Sequence, residues 1–527
     1  MNPLRNITAA LCTPAEMARW DREAMAFGIP GEMLMENASR EALHVLLEET
    51  GDPAGKRILL FAGHGNNGGD AFCMARHLHD QGAHVRLYHT KPPHAHTGET
   101  AFHMKLAQQA GVPMQFLDMP SQELLHDPHF EPDIVVDGLL GTGLTGEMRP
   151  PFPLLVRAIN ALRHRAFVFA IDIPSGLDGH TGRPCPDAVR AHATATFAAV
   201  KTGLAMPAAR EYTGRLHVRH IGIPRQIKDR YPAGQRRMGR AMFRLLRQPA
   251  AALHKGTAGH VCIIGGSPGM SGAPALAAMG ALRAGAGLVT IACPGAIVQE
   301  LKSQLPEAMC LGLTAGATCS GGWDEGCLDA LREHLPRFDA LVVGPGLGRH
   351  PDTEAFVRVL HLLGDRPPTV WDADALFWIA RNPDWLNRHT PADVLTPHPG
   401  ELARLLQGCG LEMGEDRFIN ARTLRARLPG VLVAKDAGTV VVSGDEPAYY
   451  CDVAAPCLAT GGSGDVLAGC LGALMGLGHP PLEAACLAVL LHAEAGRLLE
   501  TDYPYRGNLA REIADALPRV MKELSPC

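Results

Sequence analysis

Short runs of β-branched and aliphatic residues alternate with amphipathic stretches through the first part of the chain, a pattern that predicts a mostly parallel sheet covered by helices. The predicted strands are Arg57 to Ala62, His84 to Tyr88, Asp133 to Val136, Ala166 to Ile171 and Leu216 to Ile221. Ahead of them, Thr13-Pro14-Ala15-Glu16 has the residues of a capped helix start, with Met17, Trp20, Met25, Leu34 and Met35 as apolar anchors. Between Pro224 and Gly239 the sequence turns polar and basic around Pro232 and Gly234, which predicts a linker. A second alternation follows, with strands predicted at Val261 to Ile264, Leu288 to Ala292, Ala340 to Val343, Thr369 to Trp371, Val394 to Thr396 and Val431 to Val442. The Ala- and Gly-rich stretch Ala273 to Ala286 predicts a core helix that approaches its neighbours closely.

A chain of 527 residues exceeds what one hydrophobic core supports. Two α/β domains are therefore expected, residues 1–228 and 229–527. Hydrophobic residues make up 46% and charged residues 20%, the balance of a globular protein. A net charge of -5 provides no long-range attraction for a polyanion, which argues against nucleic acid as a partner. The 14 cysteines are scattered with no Cys-x-x-Cys pair and no secretory leader, so a reducing, cytoplasmic setting is expected, without disulfides or structural zinc. The most apolar stretches are interrupted by Arg, Asp or Gly, so no membrane segment is expected. His89, His94, His96 and His103 lie among Pro, Thr and Lys and read as a solvated loop rather than a metal site.

Three predicted strand ends in the first half carry polar, glycine-rich turns: Gly63-His64-Gly65-Asn66-Asn67-Gly68-Gly69-Asp70, Asp137 to Gly146, and Asp172 to Gly179. Such turns let backbone N–H groups approach phosphate, and in an open parallel sheet ligands bind outside the carboxyl ends of the strands, so the three would line one crevice. Taken singly, Asp137 or Asp172 reads as a helix cap or turn residue. Together, these segments resemble the NAD(P)H-hydrate epimerase family over roughly Thr13 to Pro224. The resemblance implies a Rossmann-like three-layer sandwich that interconverts the R and S epimers at the hydrated carbon of the nicotinamide ring. It also implies a potassium ion held by Asn67, Asp137 and Ser175, oxygen donors that suit a hard cation. Asp172 would be the acid/base group. Asn66, Asn67, Gly68, Gly69 and Asp70, with Gly141, Thr142, Gly143, Leu144, Thr145, Gly146 and Glu147, would meet the substrate. Lys201 matches a lysine of the family pattern that would supply positive charge.

In the second half, Thr460-Gly461-Gly462-Ser463-Gly464-Asp465 opens an apolar helix, a turn that gathers N–H donors and the helix dipole where a phosphoryl group would transfer. Asp465 is placed to accept a proton from a hydroxyl, or merely to complement the dipole. Lys435-Asp436-Ala437-Gly438-Thr439, Thr396-Pro397-His398-Pro399-Gly400-Glu401, Gly344 to Gly348 and Asp372-Ala373-Asp374 each follow a predicted strand. With His254 to His260 and Gly265-Gly266-Ser267, they resemble the ADP-dependent NAD(P)H-hydrate dehydratase family, of ribokinase-like fold, over roughly Lys255 to Asp515. The resemblance implies that ADP, with magnesium, phosphorylates the ring hydroxyl of the S epimer, and that loss of phosphate restores NADH or NADPH and leaves AMP. Asp465 would be the base and contact the hydrate, bound also by Ala273, Gly346, Gly348 and His398. Lys435, Asp436, Ala437, Gly438, Thr439 and Gly464 would hold the nucleotide. Asp436 stands where the family has glycine, and an acidic side chain there repels phosphates unless it points away or helps bind magnesium.

The expected partners are therefore hydrated NADH, hydrated NADPH and ADP, with self-association into a homo-oligomer. Two other readings stay open. The second half alone fits a ribokinase-like vitamin-precursor kinase, and the first half alone fits a noncatalytic binding or scaffold module.

Overall fold

The computed structural model describes residues 3–117, 130–144, 146–313, 322–504 and 506–524. The chain divides into two compact units, one of residues 10–235 and one of residues 1–9 with 236–527. The division thus falls between Gln235 and Arg236 rather than at residue 228, and the first nine residues leave the first unit altogether. The basic stretch after Pro224 is not a free linker: Arg225–Arg230 is a short helix and Gln235–Arg237 a strand. Aromatic packing explains this, because Tyr231 accepts a 2.8 Å hydrogen bond from Trp20 Nε1 and has the Arg19 guanidinium over its ring at 3.9 Å.

The 10–235 unit is built on seven parallel strands in the order Met114–Phe116, His84–His89, Arg57–Ala62, Ile134–Gly138, Phe167–Ile171, Ala193–Phe197 and Arg215–Arg219. Alternate residues go to opposite faces: Ile58, Leu60 and Ala62 pack into one apolar cluster and Leu59 and Phe61 into another. Both faces are covered, which makes the Rossmann-like three-layer sandwich expected from the sequence. The strand order reverses between Arg57–Ala62 and Ile134–Gly138, whose ends are in register at Ala62 and Gly138. A crevice opens at such a reversal.

In the second unit the strands run Met309–Leu313, Leu288–Pro294, His260–Ile264, Ala340–Val343, Thr369–Trp371, Val394–Leu395 and Val431–Ala434 in parallel, followed by antiparallel Thr439–Ser443 and Ala448–Cys451. The stretch Val431 to Val442 is therefore a hairpin rather than one strand, turning at Lys435 to Gly438. The Ala- and Gly-rich helix Gly272–Arg283 packs against Ser463–Gly476 so closely that a methyl on Gly469 would meet the Ala277 carbonyl. This is the close approach that small side chains permit. Among the described residues no helix is long and apolar enough to cross a membrane.

The histidine-bearing stretch departs from its expected solvation. His89, His96 and His103 are buried, His89 and His96 both bonding the Lys91 carbonyl while Phe72 packs against their rings. His103 adjoins Glu36 and Cys73 in a group of potential ligand atoms. The Arg76 guanidinium, 2.6 Å from Glu36 Oε2, closes that group as an ion pair.

Candidate active sites

At the crevice of the 10–235 unit lies a cavity of about 710 Å³. Asn66, Asn67, Asp70, Gly141, Thr142, Gly143, Leu144, Glu147 and Asp172 line it, so all three expected loops converge there. Gly68 and Gly69 sit instead against Gly63 and Met35, where any side chain would collide. Gly146 is off the cavity wall, and Thr145 lies outside the described residues.

Asp172 is held in the left-handed region at φ 61°, a conformation that costs a non-glycine residue and marks a constrained site. Its Oδ1 accepts from the buried Lys201 ammonium, and from Thr196 Oγ1 and Phe197 N, each at 3.3 Å. Lys201 also donates to Thr196 Oγ1 and to the Phe197 carbonyl and is only 2% exposed. Asp21, on the helix Pro14–Ala26, joins the cavity wall without any sequence signal to announce it.

Beside the cavity, Asn67, Asp137 and Ser175 come together. The Asp137 carboxylate accepts from Ser175 N at 2.7 Å and Ser175 Oγ at 2.6 Å, and Asn67 Nδ2 donates to the Leu140 carbonyl at 2.9 Å. Burial pushes Asp137 up to about 6 against the pull of those Ser175 bonds. Asn67 Oδ1 is buried without a hydrogen-bond partner. An orphaned amide oxygen next to a buried carboxylate and a hydroxyl is the all-oxygen donor set that a hard cation takes.

In the second unit, Lys435 Nζ is 2.7 Å from Asp372 Oδ1 and 3.3 Å from where a Gly464 side chain would begin, which brings the hairpin turn up to the glycine-rich helix start. Although desolvation works against its charge, Asp372, Glu401 and Asp465 hold the Lys435 ammonium above its ordinary value. Burial, then the Asp372 charge, push Asp465 up to about 7. The same two causes push Glu401 to about 7. His398 caps the helix Pro399–Gly408, with Gly400 N donating to its Nδ1 at 3.1 Å and its own N–H bonded to Glu401 Oε2 at 2.9 Å. Burial, then Lys435, lower its basicity, so the ring is kept neutral. Gly346 adjoins Ala273, 3.4 Å from the site of its missing side chain, and Gly348 N donates to Asp374 Oδ2 at 3.0 Å.

Two models of known families match the chain, the YjeF-related protein N-terminus over residues 31–203 and NAD(P)H-hydrate dehydratase over residues 261–519. The bifunctional NAD(P)H-hydrate repair enzyme of Moorella thermoacetica is 37% identical over 525 residues, covering 98% of this chain and 97% of its own. The chain belongs to the family of bifunctional NAD(P)H-hydrate repair enzymes. The Escherichia coli K12 enzyme of that name is 35% identical over 96% of this chain and 93% of its own. The ADP/ATP-dependent NAD(P)H-hydrate dehydratase of Bacillus subtilis, crystallised with ATP and Mg2+, is 28% identical, covering 54% of this chain and 97% of its own with a TM-score of 0.44. Family membership along nearly the whole chain goes against both the vitamin-precursor kinase and the noncatalytic module.

Within this repair-enzyme frame the one misfit of the second unit finds a partner. Arg417 Nη2 lies 3.5 Å from Asp436 Oδ2, while Arg417 Nη1 donates to the carbonyls of Ala437 and Gly438 at 2.9 and 2.7 Å. The acidic residue expected to repel phosphate thus carries its own counter-charge. Arg417 starts a helix far from the hairpin in sequence and gave no signal there. Asp372 and Glu401 were visible as strand-end carboxyls, without the pairing that joins them to Lys435 and Asp465.

Proposed function

We propose that the chain repairs hydrated NADH and NADPH in two steps, epimerising the hydrate in the cavity of the 10–235 unit and dehydrating the S form at the Lys435–Asp465 site at the expense of ADP. Products are NADH or NADPH, AMP and phosphate. The observation that carries the reading is Asp465: a carboxyl pushed to about 7, near the Lys435 ammonium, at the start of the helix Ser463–Gly476. Such a group accepts the proton of the ring hydroxyl as that oxygen attacks the terminal phosphoryl group. The helix N-terminus, the Gly464 N–H and Lys435 stabilise charge on the phosphoryl oxygens. Ala437, Gly438 and Thr439 complete the nucleotide side, and magnesium arrives with the ADP phosphates. Ala273, Gly346, Gly348 and His398 take the hydrate.

On the epimerase side, Asp172 handles protons at the hydrated carbon, and Asn67, Asp137 and Ser175 hold potassium, whose charge would fix the Asp137 loop beside the substrate. We place the activity in the reducing cytoplasm. The twelve cysteines among the described residues are free thiols, nine of them buried, which suits that compartment.

The test supplies separated R and S hydrates with ADP and magnesium and follows the return of NADH absorbance. Asp465→Asn is expected to abolish recovery from both epimers. Asp172→Asn should abolish recovery from R beyond its spontaneous epimerisation while leaving recovery from S intact. Phosphorylation of a vitamin precursor, with no NADH regained from either hydrate, would overturn the reading.

A further inference from the structure

The epimerase cavity holds more carboxyls than the proposed chemistry has used. Asp21, Asp70 and Asp172 all line it. Three donors, the Lys201 ammonium among them, converge on Asp172 Oδ1, a charge-assisted set of hydrogen bonds. Asp70 is placed differently. It is 7% exposed and lies past the first turn of the helix Asn66–Asp80, beyond the part of the helix where the dipole favours a negative charge. Among the described residues the one hydrogen bond to its Oδ1 comes from the Ser39 hydroxyl at 3.4 Å, and that hydroxyl also donates to the Met35 carbonyl at 2.8 Å. No lysine or arginine pairs with it among the described residues.

We propose that Asp70 is the proton donor of the epimerisation, with Asp172 as the acceptor. The proposal rests on the epimerase reading of this cavity. Its logic is that two carboxyls facing one space, only one of them paired with a cation, divide into an acid and a base. Burial, and then the Asp172 charge, hold Asp70 well above the usual carboxylate range. Asp21 adds to that push and Lys201 opposes it; His64, Glu99, Glu147 and Arg149 are the other titratable groups on the walls.

The hydrated carbon bears a hydroxyl and adjoins the ring nitrogen. Asp70 gives its proton to that hydroxyl, the C–O bond breaks, and the nitrogen lone pair forms a C=N bond as water leaves. Water then adds to the opposite face, a C–O bond forms, the C=N electron pair returns to nitrogen, and the proton released goes to Asp172. The enzyme is left with Asp70 ionised and Asp172 protonated. That is the form which carries the other epimer back, so the two directions use the two proton arrangements of one pair.

The experiment uses full-length Asp70→Asn, Asp70→Glu and wild-type protein with separated R and S hydrates across a pH series. For Asp70→Asn the expected result is a fall in epimerisation kcat of at least about 100-fold. KM should stay within about two-fold, and the alkaline limb of the wild-type kcat/KM profile should vanish, because that limb reports loss of the donor proton. Asp70→Glu restores part of the rate and moves the limb. Circular dichroism and thermal unfolding of the same variants, set beside wild type, report that the 10–235 unit is folded. A wild-type kcat with the limb intact, or a rise in KM alone, overturns the proposal. Wild-type epimerisation by Asp172→Asn would instead remove the epimerase reading beneath it.

Discussion

Asp465, the base of the proposed dehydration, carries a cost to the fold. Burial and the Asp372 charge push it from its ordinary 3.8 to about 7. A carboxyl raised in the folded state contributes stability at low pH that is lost as pH rises from about 4 to about 7, where the folded protein must ionise a group the unfolded chain ionises freely. Asp465→Asn keeps the shape and removes that cost. The variant should therefore be more stable than wild type by an amount that grows from nothing near pH 4 to on the order of 1–3 kcal/mol at pH 8, allowing for partial exposure, and should melt correspondingly higher. Thermal unfolding followed at several pH values checks this, and equal melting at pH 8 would mean Asp465 titrates as an ordinary carboxylate. At this scale the sequence was informative where a motif is contiguous, as at Thr460 to Asp465. It was silent where charge compensation comes from afar, as with Arg417 at Asp436 and Asp21 in the epimerase cavity, because a single Arg or Asp on an amphipathic helix looks like any solvated position.

Among the elements, those that begin at strand ends were legible because hydrophobic runs and glycine-rich turns mark both boundaries. The strand Ala193–Phe197 escaped notice: Ala-Thr-Ala-Thr-Phe is neither an aliphatic run nor visibly amphipathic, yet every residue in it is buried. It supplies Thr196 and Phe197, the neighbours of Asp172 and Lys201, so the electrostatic environment of the proposed epimerase base was hidden with it. The hairpin turn at Lys435 was hidden by the opposite effect, since the apolar residues on either side read as one strand. Gly462, which starts the helix Ser463–Gly476, sits at φ 89°, and a methyl there would lie 3.1 Å from Ala510 Cβ and collide with Leu276. Gly462→Ala should cost about 1–2 kcal/mol from the backbone alone, plus the clash. It should also depress dehydration more than its effect on stability predicts, because the N–H donors of that helix start would be re-aimed. Dehydration kinetics with saturating S hydrate, set beside the melting temperature, separates these effects; unchanged ADP-dependent kcat would mean that the helix start does not organise the phosphoryl site.

For the whole molecule, the length and the repeated alternation of patterns led to an expectation of two α/β bodies, and the chain divides into two compact units. What the sequence hid was the destination of its own first residues. Leu4 is an isolated apolar residue in a polar start, which predicts nothing, but it is fully buried in the same cluster as Met242, Phe243 and Tyr449 of the second unit. Arg236 Nε donates to Thr8 Oγ1 at 2.7 Å, and Arg5 Nε to Glu446 Oε2 at 2.9 Å, tying the same segment to that unit from its surface. The first nine residues therefore stabilise the dehydratase half from outside its contiguous sequence. Truncating a fully buried leucine typically costs about 2–5 kcal/mol, and a short terminal segment, free to relax, belongs at the lower end of that range. Leu4→Ala is expected to lower the temperature of half-inactivation for ADP-dependent dehydration by several degrees while leaving that of R-to-S conversion unchanged, both measured on one heated sample of full-length protein. An equal fall in the two activities would show that the segment supports both units, and no fall in either would remove Leu4 from the core of the second.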